Sequence, residues 1–261
     1  KVAAERHFEP ESFVPIVAFE CGTPDDDSHR VAYFFDPRNV PPIFCETRPP
    51  ALDATLTGRF HPKTIVCETL DAYYRAVHRY GGFVAGHFHT RTYRKEILAE
   101  LWQKQEFGAQ YQLGKKHADE EENLYAYLRN GLKMGFTGGS DTHDSMPGNP
   151  YPEPGCPRAA GFTGVHLDEL TPIALEKAIR SRRTIATSGA RIGIWVNYGD
   201  YSIGDIAQFQ KDNVFDIRVD AASAIDTVEV LHDGRPVHVL DAVGSTAEFE
   251  YRPHRSEAEE S

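Results

Sequence analysis

Cysteine is scarce in this chain. The four present, Cys21, Cys45, Cys67 and Cys156, are irregularly spaced and form no Cys-x-x-Cys pair. That argues against a zinc ribbon or a disulfide-framed scaffold and leaves buried or loop thiols. Long apolar runs are also missing. No stretch approaches the roughly 18 residues of a membrane-crossing helix, so no membrane span is expected. The opening Lys-Val-Ala-Ala-Glu-Arg-His has no apolar h-region and no initiator Met. The expectation is a chain whose N-terminal part is missing, with any secretory signal upstream of it. Positive charge is in deficit, with 28 Lys and Arg against 39 Asp and Glu and a net charge of −11. A duplex nucleic acid, which wants a basic face, is a poor partner for such a chain. A small anionic substrate is not, because a bound metal supplies local positive charge. Internal repeats and low-complexity tracts are absent as well.

The 261 residues suffice for one large domain, or for one domain and a smaller one. At 40% apolar and 26% charged, the composition is that of an ordinary globular protein. Residues 13–19 (Phe-Val-Pro-Ile-Val-Ala-Phe) have strand length and end at Glu20. Residues 30–35 (Arg-Val-Ala-Tyr-Phe-Phe) form a second strand. The acidic, turn-rich residues 23–28 between them suggest a hairpin. Residues 36–62 are proline-rich and aperiodic and read as a long surface loop. Leu70, Tyr73, Tyr74 and Val77 mark a helix over 70–80 that stops at Gly81-Gly82. A strand at 83–85 then runs into Gly86-His-Phe-His89. Helices are expected over 94–107 and 119–133, followed by a strand over 135–139, a Pro/Gly-rich loop over 145–157 and a strand over 162–165. Thr171-Pro172 is an N-cap followed by Pro at the first helical position, opening a helix to about residue 182. A strand–turn segment follows over 184–194. This alternation of strand and helix predicts an α/β domain of barrel type over 1–198. From 199 the texture changes to period-two strands at 214–220, 227–231, 236–240 and 247–251, with an Asp233-Gly234 turn. That predicts a small antiparallel β appendage over 199–252 and a disordered charged tail over 253–261.

The most informative segment is 138–144, Gly-Gly-Ser-Asp-Thr-His-Asp. It follows a short apolar strand. Residues two apart in an extended chain share a side, so Asp141 and His143 can aim one carboxylate and one imidazole at a single point, as a metal ion requires. Alone, Asp-x-His is equally the capping Asp and surface His of a loop. The company it keeps decides the reading. Glu20 ends the first strand, His29 opens the strand that returns beside it, and His87 and His89 end a third. Charged and imidazole groups gathered at strand ends are hard to explain as packing, so a metal site of Glu20, His29, His87, His89, Asp141 and His143 is expected. Of the two histidines at 87 and 89, one faces away if the chain bends after Gly86, and His87 is favoured as the ligand.

These residues give the chain a family likeness. It resembles the polymerase and histidinol phosphatase (PHP) superfamily, and within it a bacterial branch of PHP-type proteins. The matching stretches are 13–20, Ser28-His-Arg-Val-Ala-Tyr-Phe34, Gly86-His-Phe-His-Thr90, the 135–143 segment ending in Ser-Asp-Thr-His, 160–165, and Arg182-Arg-Thr-Ile-Ala-Thr-Ser-Gly-Ala-Arg-Ile192. Together they cover roughly residues 10–235. The resemblance implies a distorted (β/α)7-type, TIM-like barrel. It also implies a site of two or three divalent ions (manganese, zinc or iron) and hydrolysis of a small phosphorylated substrate. Carried over, Glu20 is a bridging carboxylate, His29 and His87 (or His89) are imidazole ligands, and Asp141 and His143 complete the set. Asp141 or a neighbouring His would move the proton, and Arg191, in Thr187-Ser-Gly-Ala-Arg191, is a candidate phosphate contact. One departure stands out. The family's opening His-x-His has no counterpart ahead of Glu20, where only His7 is found. That implies a barrel lacking its first strand and a site lacking two ligands. Two other readings remain at this level: a catalytically incomplete binding or interaction module, and a metal-dependent amidohydrolase-type enzyme.

Overall fold

Period-two alternation dominates what these residues build. In the computed structural model of the chain, the described residues are 4, 6–9, 11–22, 29–41, 43–45, 65–67, 69–87, 109–111, 128, 133–139, 161–187, 189–241 and 244–254. In order they form β1 (Val17–Gly22), β2 (His29–Phe34), β3 (Ile43–Cys45), β4 (Ile65–Cys67), α1 (Leu70–Arg79), β5 (Phe83–His87), β6 (Ala109–Tyr111), β7 (Phe136–Gly138) and β8 (Phe162–Val165). Then follow α2 (Pro172–Arg180), β9 (Thr184–Thr187), β10 (Ile192–Tyr198), β11 (Tyr201–Ser202), β12 (Phe215–Ala221), β13 (Thr227–His232), β14 (Arg235–Asp241) and β15 (Thr246–Tyr251). The chain divides into two compact units, residues 1–109 with 167–177 and residues 110–166 with 178–261.

In the first unit β2 is the middle strand of an antiparallel trio, pairing β1 on one side and β5 on the other. The alternation of the strands gives the trio two faces. One carries Phe19, Ala32, Phe34 and Val84. It packs against Tyr73, Tyr74, Ala76 and Val77 of α1 and against the buried Cys67. The other face carries Glu20, Val31, Tyr33, Phe83 and Ala85. Helix α1 starts at Thr69, whose hydroxyl accepts from the Ala72 N–H at 3.2 Å. It ends in a two-bond cap, with Gly82 N–H to Val77 O and Gly81 N–H to His78 O. Gly81 takes the left-handed turn there at φ +74.

In the second unit β10, β12 and β15 form an antiparallel sheet extended by the short β11, and β13 pairs with β14 as a hairpin. Asp233 and Gly234, both at positive φ, close that hairpin as the Asp-Gly turn predicts. The inner faces share one apolar core in which Ile217, Val219, Ala247 and Tyr251 are buried. Tyr198, Phe215 and Tyr251 are register partners across three strands and form an aromatic ladder at one end of it. The strands β8 and β9 pair antiparallel beside β7.

The predicted (β/α)7-type barrel is not what forms. Strands paired in small, mostly antiparallel sheets are the predominant regular structure among the described residues, with two α-helices beside them. β3 and β4 run parallel to each other. The reason is visible at β8–α2–β9. A strand, a helix and a strand follow in sequence as they would in a barrel unit, yet the two strands pair antiparallel, which a right-handed parallel crossover does not allow. The proline-rich stretch read as loop also contains β3. The helices expected over 94–107 and 119–133 fall outside the described residues apart from residues 128 and 133. The expected tail does too, beyond His254.

Candidate functional site

Residues i and i+2 of a strand share a face, and antiparallel register fixes which residues of neighbouring strands stand opposite. Both rules bear on the histidines singled out above. His29, the first residue of β2, is the register partner of His87, the last residue of β5. Glu20 on β1 is paired with Val31 and Gly22 with His29, so Glu20 stands diagonally from His29. The three positions lie on one face and at one end of the trio. Arg30, between His29 and Val31, belongs to the opposite face and is fully buried.

Glu20 is exposed and engaged in contacts of its own. Tyr33 is on the same face, two residues beyond Glu20's partner Val31. Burial, and secondly the Glu20 carboxylate, push the Tyr33 hydroxyl up to about 12. Its ring stacks on Phe83 at 5.0 Å between centroids. Motif reading passed over Tyr33 because a tyrosine in an aromatic strand looks like packing. The signal available was the alternation itself, since His29, Val31 and Tyr33 are two apart.

His89, Asp141 and His143 lie outside the described residues. Among the described side chains no group of three or more His, Cys, Asp and Glu gathers as a metal cluster. Of the expected ligands only Glu20 has a described side chain.

The strand leading to Asp141 is fixed at its end. Thr163 of β8 accepts from the Gly138 N–H at 3.0 Å, and its hydroxyl donates to the Gly138 carbonyl at 2.9 Å. Gly138 is a glycine of necessity, because a Cβ would run into the Phe162 carbonyl oxygen. One residue on, the Gly139 carbonyl accepts from Gly161 N–H at 3.2 Å. Arg191, the candidate phosphate contact, belongs to the second unit. It is exposed, and its carbonyl accepts from Ala222 N–H at 3.0 Å.

Comparison with protein-family models, with curated protein sequences and with solved structures gives no match for this chain.

Proposed function

We propose that this protein is a metal-dependent hydrolase, with a phosphate ester as the favoured substrate, built around Glu20, His29, His87, Asp141 and His143. The observation that carries the reading is the direct pairing of His29 with His87, with Glu20 on the diagonal. Register partners bring their Cβ atoms to about 4.5–5.5 Å and diagonal neighbours to about 7–8 Å. Two imidazole nitrogens and a carboxylate oxygen over such spans suit zinc, manganese or iron. The sequence adds the Asp-x-His of residues 141–143 and the likeness to PHP-type phosphatases. The reading does not depend on a barrel.

In this reading Glu20, His29 and His87 hold one or more divalent ions, and Asp141 and His143 complete the donor set. Such ions acidify water and neutralise phosphoryl oxygens when bound. The chain's own residues do the rest. Tyr33, on the same face, presents a neutral phenol whose hydroxyl burial and the Glu20 carboxylate push up to about 12. Asp141 or a neighbouring His accepts the proton of the attacking water. Arg191 offers a planar fork to a phosphate.

The test is elemental mass spectrometry on the purified chain, beside hydrolysis of a generic phosphomonoester with manganese or zinc supplied. Metal should co-purify in roughly stoichiometric amounts, and Asp141→Ala should abolish turnover. A wild-type chain that neither holds metal nor turns over with metal added would overturn the reading, as would a fully active Asp141→Ala.

A further inference from the structure

Both α-helices among the described residues end in the same two-bond cap, and the residue at the left-handed position differs. In α1 it is Gly81. In α2, where Arg183 N–H reaches Ala178 O and Arg182 N–H reaches Ile179 O, both at 2.9 Å, it is Arg182 at φ +59. Glycine is the residue this position favours, because a Cβ is strained there. An arginine kept against its backbone preference points to a use for its side chain.

That side chain lines a cavity of about 730 Å3 in the second unit. The walls are apolar, formed by Met134, Phe136, Ile185, Ile203 and Ile206, and the charged lining residues are Lys133, Arg182 and Asp205. Asp205 is already satisfied. Arg183 Nη2 lies 3.3 Å from its Oδ1, and the N–H and hydroxyl of Ser202 donate to its Oδ2. Lys133 and Arg182 therefore leave the cavity cationic within a chain of net charge −11. Arg182 is held in place as well. Its Nε donates to the Gly204 carbonyl at 3.1 Å. Gly135 and Gly204 let the backbone close around it, since a Cβ on Gly135 would lie 3.1 Å from the Arg182 Cα and one on Gly204 would meet the Ser181 carbonyl.

We propose that this cavity binds an amphipathic carboxylate, its hydrocarbon part against the isoleucine wall and its head group on Arg182 and Lys133. The volume is in the range of small-molecule sites, whose pattern is an apolar body with a few placed polar groups. The planar guanidinium matches a carboxylate in two-point geometry. None of its lining residues is a proposed metal ligand, and the inference stands whether or not the hydrolase reading does.

Isothermal titration of the full chain with octanoate, in the presence of a chelator so that no metal competes for the carboxylate, tests it. Octanoate should bind, octan-1-ol should bind at least about tenfold more weakly, and acetate should give no signal. Arg182→Gly relieves the backbone strain, so its melting temperature should stay level or rise while octanoate affinity falls at least about tenfold. Ile206→Asp, at a position 58% exposed and therefore safe for folding, should abolish binding through the wall. Octanoate failing to bind the wild type, octanol binding equally well, or Arg182→Gly binding octanoate unchanged would each overturn the proposal.

Discussion

His29 of β2 stands directly opposite His87 of β5, although 58 residues separate them in sequence. Neither histidine announces this alone. One opens a strand after an acidic stretch of sequence, and the other closes a strand after a glycine. If they share an ion, replacing either should have the same consequence. His29→Ala and His87→Ala should each weaken metal binding by more than the about 10–100-fold that loss of an outer-shell partner brings. His238→Ala, in the hairpin of the other unit, should leave it unchanged. Equilibrium dialysis against zinc or manganese checks this, and unequal effects at 29 and 87 would argue against a shared ion.

Tyr33 offers a reading of the same face by pH. Its folded-state value of about 12 lies above the ordinary 10, so the fold favours the neutral phenol. The stability this contributes is complete below pH 10 and is lost as pH rises from there through about 12. Urea midpoints should therefore fall across that alkaline window, and Tyr33→Phe, which keeps the ring on Phe83, should flatten the fall. Glu20→Gln should bring the Tyr33 value down only in part, because burial is the larger cause. A full return to 10 in a spectrophotometric titration would show that the carboxylate dominates instead.

Local chemistry was legible in this sequence, and pairing direction was not. The Gly81-Gly82 stop, the Thr171-Pro172 start, the Asp233-Gly234 turn and the alternating strands after residue 213 appear where their residues indicate, because each is set by neighbours within a few positions. Strand β3 could not be read from a proline-rich stretch. It is three residues long, and its partner β4 lies some twenty residues on. Alternation of strand and helix suggests a barrel, but a helix between two strands does not dictate that they run parallel, as β8 and β9 show. The pairing of His29 with His87 depends on the register of β2 with β5, and register is a property of the assembled sheet. The cavity beside Arg182 was illegible for the same reason. Its walls come from residues 128 to 207, and its arginine occupies a position where sequence reading looks for glycine.

The core behind the candidate site makes a stability prediction. Phe34 is 1% exposed, stacks on Phe19 at 5.6 Å, and leaves no room for a side chain on Gly82. Phe34→Ala should cost about 3–5 kcal/mol in urea unfolding, the range for deleting a buried ring. A loss below about 1 kcal/mol would mean that this face of the trio is not the core that supports Glu20 and His29.

Thr163 links β8 to the end of β7 through one hydroxyl that both accepts from and donates to Gly138. Valine has nearly the same shape and neither function, so Thr163→Val leaves a part-buried N–H and C=O unpaired, at about 1–3 kcal/mol. Serine keeps the hydroxyl. Gly138 precedes Asp141 by three residues in sequence, so in the hydrolase reading the clamp holds the strand from which the two ligands follow. Thr163→Val should therefore lower both the unfolding free energy and the affinity for divalent metal, and Thr163→Ser should restore most of each. Paired denaturation and metal-binding measurements on the two variants separate the outcomes. If Val loses stability but holds metal as tightly as the wild type, the clamp supports the fold alone.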